Sequence, residues 1–271
     1  MMTSLSSAVS GLDAFQQQMD IIGNNIANIN TTGFKSGTGN LVDSFSDTLQ
    51  AATVSTAGSS TDSMQIGTGV ATGSVTNNWM TGTINPMNNN NDLAINGNGF
   101  FMVEDPNNSN TPYVTQDGTF GLTSKGNLQN AAGMNVMSTT GTAIVIPQTN
   151  AAGAGMTAWT VTGSGAITVS YSDGTTASAG SVAVENFADP GVLVSAGGNL
   201  YTNMANAGPS GAVVPGTAGT GTIVQGSLEL SNVDLSAQMA ALITAQRGFE
   251  ANSKIVTTSD EILQDSVQMK R

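Results

Sequence analysis

The sequence contains no cysteine and no histidine. Their absence removes disulfides, thiol nucleophiles, imidazole acid–base chemistry and zinc sites of the usual kind. It leaves the redox compartment open, because cysteine-free chains occur on both sides of a membrane. Charge is scarce as well: 9% of residues are charged, against about a quarter in an average globular chain. Gly, Asn, Ser, Thr and Ala stand where charges usually do, which gives weakly charged surfaces able to pack against neighbours. The net charge of −12 rests on only six basic residues, and between Met1 and Gln246 only Lys35 and Lys125 are basic. Phosphate-backbone binding needs clustered Lys and Arg, so no nucleic-acid partner is expected. An anionic membrane surface is disfavoured for the same reason. No run of about 18 apolar residues exists, so no membrane insertion is expected. No Lys or Arg precedes Lys35 and the early apolar residues are spaced rather than continuous, so no signal peptide is expected. Taken alone, these features place the chain in the cytoplasm.

The pattern that is present lies at the two ends. Leu5, Ala8, Leu12, Phe15, Met19, Ile22, Ile26 and Ile29 step by three and four in alternation, the spacing of a coiled-coil seam. Leu235, Leu242, Phe249, Val256 and Leu263 recur every seventh residue. The row complementary to it, Met239, Gln246, Ser253, Asp260 and Val267, is partly polar, and Ala241, Gly248, Ile255, Ile262 and Met269 form another stripe. The spacing predicts one helix from Thr3 or Ser4 to about Asn30 and another from Asn232 or Asp234 to about Met269. Each seam needs a partner helix, from the other terminus or another copy. Gly11 and Gly23 each cost the first helix about 1 kcal/mol relative to Ala, which predicts ordering by a partner.

Between the ends the character changes. Leu41, Phe45 and Leu49 suggest one short helix, and the Ser/Thr/Ala/Gly stretch at 52–63 reads as an exposed loop. From about 65 to 230, short β-branched or alternating runs are predicted strands: Leu93–Ile95, Phe100–Val103, Tyr113–Thr115, Ala143–Ile146, Trp159–Val161, Ile167–Tyr171, Val182–Val184 and Ile223–Val224. Asn96-Gly97, Asp117-Gly118, Lys125-Gly126-Asn127 and Ser172-Asp173-Gly174 punctuate them as turns. The fold class is therefore α+β: terminal helices forming a coiled-coil-like core domain, and a central antiparallel all-β domain, a sandwich or barrel. The domains are drawn as residues 1–30 with 232–271, a connecting segment and loop at 31–64, and a β-rich inner domain at 65–231.

Candidate chemistry is sparse. Gly97-Asn98-Gly99 runs into a strand rather than opening a helix, so it is not read as a phosphate loop. Asp117-Gly118, Asp173-Gly174 and the Glu104-Asp105 pair lack the spacing of a calcium loop and read as hairpin turns. No catalytic, metal or cofactor-binding residue is assigned.

The segment Asn24-Asn25-Ile26-Ala27-Asn28-Ile29-Asn30-Thr31-Thr32-Gly33-Phe34-Lys35 resembles the signature of flagellar rod and hook axial proteins. Asp92-Leu93-Ala94-Ile95-Asn96-Gly97-Asn98-Gly99-Phe100-Phe101 is similar to the family's inner β-domain motif. Tyr113 to Phe120 resembles the following hairpin, with Gln116 where Arg is usual. Asn186-Phe187, Asp189-Pro190-Gly191 and Gly198-Asn199-Leu200-Tyr201 resemble the return of that domain. Gly226 to Leu235 and Ala245 to Lys254 resemble the C-terminal helix signature. The blocks stand in family order and cover most of the chain.

The resemblance implies a non-enzymatic structural subunit without cofactors. Its copies would form a homo-oligomer, a helical polymer with both terminal helices near the axis of a hollow tube and the β-domain outside them. It implies assembly through Leu5, Leu12, Phe15, Met19, Ile22 and Ile26 of the first helix and Leu235, Leu242, Phe249, Val256 and Leu263 of the last. Asn24, Asn25, Asn28, Gly33 and Phe34 are the family-motif positions. Partners implied are adjacent flagellar rod, hook, hook-cap and junction proteins and the flagellar type III export apparatus. Export without a cleaved signal peptide to the hook-basal body then replaces the cytoplasmic reading. The stretch from Met137 to Asn186 is too short for a large inserted outer domain, which resembles the distal rod protein. Ser231-Asn232-Val233-Asp234-Leu235-Ser236 and the closing residues lean towards hook proteins. The expected subunit is a compact hook protein, with the distal rod protein as the alternative and a secreted adhesin or β-rich hydrolase as distant ones.

Overall fold

An α-helix at each terminus and antiparallel strands between them make up the chain, an α+β architecture as the sequence predicts. The computed structural model describes every residue except 1, 51–52, 55–59, 62, 107, 203 and 270–271. The chain divides into two compact units, one of Met1–Ala27, Gly37–Asn78 and Val233–Arg271, the other of Asn28–Ser36 and Trp79–Asn232.

In the first unit, helix α1 covers Met2–Ala27. It stops three residues before Asn30 because the chain turns at once, with the Thr31 amide donating to Asn28 O at 3.1 Å. The Asn-Thr-Thr-Gly stretch thus ends the helix slightly earlier than its apolar spacing suggests. The next element is not the short helix expected from Leu41, Phe45 and Leu49. Strand β1 spans Gly37–Asp43 and β2 spans Ser46–Gln50, with Phe45 between them and 89% exposed. The reason lies outside the local pattern. Strands β3 (Thr53–Val54), β4 (Ser60–Thr61), β5 (Met64–Gly67) and β6 (Val70–Asn77) return as partners. β1 pairs β6 from Gly37↔Asn77 to Asp43↔Val70, and β2 pairs β5. Gly, Ser, Thr and Val are weak helix formers, so a ladder wins once a partner strand exists. β3 pairs β4, and most of the remainder of the expected loop at 52–63 lies outside the described residues.

The β1–β6 pair lies along α1. Asn25 Nδ2 donates to Gly37 O at 2.8 Å and Asn25 Oδ1 accepts the Gly37 amide at 2.9 Å. Further along α1, Ser10 Oγ accepts the Val70 amide at 3.3 Å. Gly39 makes the close approach possible, since a Cβ there would lie 2.7 Å from Ile21 Cδ1. Helix α2 then spans Leu235–Gln268, capped by Asp234, whose carboxylate accepts the Ser236 and Ala237 amides. Such a cap stabilises a helix by about 1 kcal/mol.

The second unit holds the predicted strands. An antiparallel sheet runs in the order Phe120–Leu122, Leu128–Asn130, Asn135–Val136, Phe100–Asp105, Asn108–Thr115, Leu200–Thr202 and Val194–Gly197, with Val184–Glu185 also pairing Phe100–Asp105. Met156–Val161, Ala166–Tyr171 and Thr176–Ser181 form a three-stranded meander. Along Ala166–Tyr171 every second residue (Ile167, Val169, Tyr171) is buried, the signature of a strand with one face on a core. Those residues share one buried cluster with Phe101, Val103, Leu128, Val136 and Trp159. A second cluster gathers edge-to-face rings: Trp79 lies 5.3 Å from Phe100 and 5.1 Å from Tyr201, and Phe100 lies 5.4 Å from Phe187. Ala143–Ile146 forms only isolated bridges, although Ile144 and Ile146 are buried. At the Gly97-Asn98-Gly99 turn, a Cβ on Gly99 would stand 2.5 Å from Val184 Cγ1. The glycine there admits a neighbouring strand rather than a phosphate. Asp173 accepts the Thr175 amide at 2.9 Å and hydroxyl at 2.6 Å, so its carboxylate closes a hairpin turn.

Candidate functional site

Two features in separate units carry the residues singled out by sequence: the helix pair α1–α2, and a hydrogen-bonded junction built from the Asn-Thr-Thr-Gly-Phe-Lys segment.

The helices pack antiparallel. A Cβ on Gly11 would lie 2.5 Å from Asn252 Nδ2, a Cβ on Gly248 would overlap the Phe15 ring, and Asn25 Nδ2 donates to Gln238 Oε1 at 3.1 Å. Leu5 lines one apolar recess with Val256 and Leu263. Rising numbers on α1 therefore meet falling numbers on α2 along the whole contact. Ile22 is 5% exposed, while Leu5, Leu12, Phe15, Met19 and Ile26 are half-buried. On α2, Leu242, Phe249 and Val256 are half-buried, but Leu235 and Leu263 are 43% and 39% exposed.

The stripe read through Ala241 and Gly248 caught only part of the row that packs most deeply, since that stripe's Ile255, Ile262 and Met269 are exposed. Ala245 and Ser259 are the buried residues of α2. They continue a line of small residues, Ala241, Ala245, Gly248, Asn252 and Ser259, at steps of three, four and seven. On α1, Ala8 and Ala14 are buried beside Ile22. Small side chains let the helix axes approach, and Phe15 fills the notch left at Gly248. A search for recurring small residues, rather than large apolar ones, would have found this row.

Both helices leave apolar surface uncovered. Met239, Ile243, Ile255, Ile262 and Val267 of α2 and Met269 at its end are exposed, as are Val9 of α1, Val42, Met64, Ile66 and Val75 of the adjoining strands and Phe45 between β1 and β2. Among the described residues of the second unit, only Met80, Met87, Val145, Val194 and Val214 are comparable. Exposed apolar residues in this density mark surfaces that a protein partner covers.

The junction lies within the second unit. Gly33, at φ 67, brings its backbone against Gln116 and Asp117, where a Cβ would stand 2.7 Å from the Asp117 amide nitrogen, and its own amide donates to Glu229 O at 3.0 Å. Thr32 Oγ1 donates to Asp117 Oδ1 at 2.9 Å, and Asn199 Nδ2 donates to Thr32 O at 2.7 Å. Lys35 Nζ reaches Glu229 Oε1 at 2.7 Å and Met80 O at 2.9 Å, with the two side chains 1% and 3% exposed. The same Glu229 oxygen accepts the Gly82 amide at 2.7 Å. Asn232 accepts the Ser36 amide and donates to Met80 O. Nearby, burial raises the Asp92 carboxyl above its ordinary range against a hydrogen bond from Asn89, and the Asp117 charge adds to the rise.

Residues 33–36, 80–83 and 229–232 are thereby tied together beside three of the four points at which the chain leaves this unit. Of the motif asparagines, Asn25 joins helix to strand in the first unit, while Asn28 turns the chain in the second. Asn24 is exposed and Phe34 half-buried. The buried Lys35–Glu229 pair was not foreseen, although each residue stands inside a quoted motif. Among the described residues no group of three or more acidic, histidine or cysteine side chains could hold a metal ion.

Three family models match the chain. One described as flagella basal body rod protein covers residues 5–35, the flagellar hook protein FlgE/F/G D1 domain covers 94–169, and the flagellar basal body rod FlgEFG protein C-terminal covers 224–269. The flagellar basal-body rod protein FlgG of Bacillus subtilis (strain 168) is 38% identical over 100% of both chains. That of Borreliella burgdorferi is 31% identical, again over 100% of both. The flagellar hook protein FlgE of Borreliella burgdorferi is 41% identical, but over 39% of this chain and 24% of its own length. With terminal helices, β-rich unit and junction matched in order, the chain belongs to the flagellar rod and hook family of axial structural proteins.

Proposed function

We propose that this chain is the distal rod subunit of the flagellar basal body, a structural protein without enzymatic activity. Its copies polymerise helically into a hollow torque-transmitting tube. The observation that carries the assignment is full-length likeness to rod proteins, set against a hook-protein likeness confined to 24% of that relative. It reverses the preference for a compact hook protein drawn from the closing residues. Those residues lie in a C-terminal segment matched by a model described for rod and hook members together, so they do not discriminate. Between Met137 and Asn186 the chain builds only the three-stranded meander, the Val184–Glu185 strand and their connections, with no room for the outer domain of a hook subunit.

In this reading the terminal helices, residues 1–30 with 232–271, are the assembly module. Leu5, Leu12, Phe15, Met19, Ile22 and Ile26, with Leu242, Phe249 and Val256, hold the helix pair, while Leu235 and Leu263 extend apolar surface towards other copies. The neighbours are other rod, hook and junction proteins, and the chain reaches them through the flagellar export apparatus. Immunogold labelling of purified hook-basal bodies carrying a tagged copy tests this. Label along the rod supports the assignment, label on the hook restores the hook reading, and absence of label from both overturns the axial role. A chain lacking residues 1–30 is expected not to enter the structure.

A further inference from the structure

The faces of α1 and α2 turned away from each other carry matching rows of charge. On α1 the only charged residues are Asp13 and Asp20, both exposed. With Gln17 between them they stand at i, i+4 and i+7, one stripe roughly 10 Å long at 1.5 Å per residue. At about 100° per residue, Asp13 and Asp20 lie roughly 200° and 140° round the helix from Phe15, which packs on Gly248 of α2. Asp13 and Asp20 stand roughly 60–100° round from Ser10 and Ile21, which face the β1–β6 pair, and Gln17 lies closer to that side, but all three side chains are exposed.

On α2 the only described bases are Arg247 and Lys254, at the same separation of seven, with Glu250 between them. All three are exposed, and Arg247 and Glu250 approach only to 3.8 Å with side chains 80% and 68% exposed. Arg247 and Lys254 lie roughly 200° and 180° round α2 from Ala245, whose 1% exposure marks the buried side.

The two rows fit in one antiparallel register: Asp13 against Lys254, Gln17 against Glu250, Asp20 against Arg247. Each acid then meets a base, and the amide of Gln17 can donate to Glu250. Sliding by one heptad leaves a single ion pair. Within one copy the rows cannot meet, because α1 and α2 already face each other through their opposite sides. We infer that the acidic row of α1 in one copy docks on the basic row of α2 in the next, and that this contact sets the helix register between copies. It joins two different faces, so it is heterologous and propagates head to tail instead of closing as a two-fold dimer. The inference rests on the proposed polymer and specifies the contact within it.

Two reversed variants of the full chain provide the test. Asp13→Lys with Asp20→Lys makes both rows basic, and Arg247→Glu with Lys254→Glu makes both acidic. All four side chains are exposed, so circular dichroism should report an unchanged fold. By sedimentation of purified chains, each variant alone should need a concentration roughly tenfold higher than wild type to polymerise. An equimolar mixture should assemble at close to the wild-type concentration, because each variant offers the row its partner lacks. A purely local effect on the helix would not be cured by mixing. Since the chain has no native cysteine, Gln17→Cys with Glu250→Cys should give disulfide-linked ladders of copies on oxidation of the polymer. Wild-type-like assembly of either variant alone, failure of the mixture, or polymers without ladders would overturn the inference while the polymer itself stands. Failure of the wild-type chain to polymerise would instead count against the proposed function.

Discussion

Lys35 and Glu229 are 194 residues apart in sequence, yet their side chains meet at 2.7 Å with almost no exposure. Removing two charges from water costs several kcal/mol each, and only good geometry and further hydrogen bonds offset it. Here the supporting bonds exist: Lys35 also donates to Met80 O, and Glu229 also accepts the Gly82 amide. Truncating one partner strands the other charge. Lys35→Met should therefore lower unfolding stability by about 3–5 kcal/mol, read as a shifted urea midpoint. Adding Glu229→Gln should recover most of the loss, because the Gln carbonyl oxygen still accepts from Gly82 and no buried charge remains. A double variant as weak as Lys35→Met would show that the pair acts through packing and not charge. Neither residue looks special alone; the coupling is set by the tertiary fold, which no local spacing encodes.

The helices show which features local pattern can and cannot reveal. A repeating apolar step is a local signal, and it located α1 and α2 to within a few residues. The β1 side of the β1–β6 ladder falls where Leu41, Phe45 and Leu49 suggest a helix, because its stability comes from a partner strand more than twenty residues away in sequence. Of the small-residue row of α2, apolar spacing marks only Ala241 and Gly248; Ala245, Asn252 and Ser259 escape it because they pack by what they lack. The helix glycines separate these effects. Nothing lies within 4 Å of a Cβ on Gly23, whereas a Cβ on Gly248 meets three Phe15 ring atoms. Gly23→Ala should thus stabilise the chain by up to about 1 kcal/mol through helix propensity alone. Gly248→Ala gains the same propensity, but forcing the ring aside costs about 1–3 kcal/mol. Thermal melts followed at 222 nm should move in opposite directions. If both rise, Phe15 yields easily and Gly248 is not a packing notch. Of the two glycines that the sequence marks as weaknesses of the first helix, Gly11 and Gly23, only Gly23 is one, since a Cβ on Gly11 would meet Asn252.

Across the whole molecule, burial is unevenly shared. The second unit has a continuous core of fully buried residues such as Phe101, Leu128, Ile144 and Val169. Helix α1 packs against α2 and the β1–β6 pair, while α2 has one packed face and several bare ones, with only Ala245 and Ser259 buried along it. Local opening is governed by how much apolar contact is lost, so the helices should open far more readily than the strands in an isolated chain. Copies that cover the bare faces bind the closed form alone and raise its stability by mass action. Amide hydrogen exchange can resolve the two behaviours within one protein. In the monomer, amides of α1 and α2 should exchange well before those of Phe100–Asp105. In polymer formed at about a hundred times the critical concentration, the helix amides should slow by roughly a hundredfold, while the strand amides change little. If the helix amides of the monomer are already as protected as the strand amides, the helices are ordered before assembly. The exposed apolar residues would then serve docking alone, without a coupled ordering step.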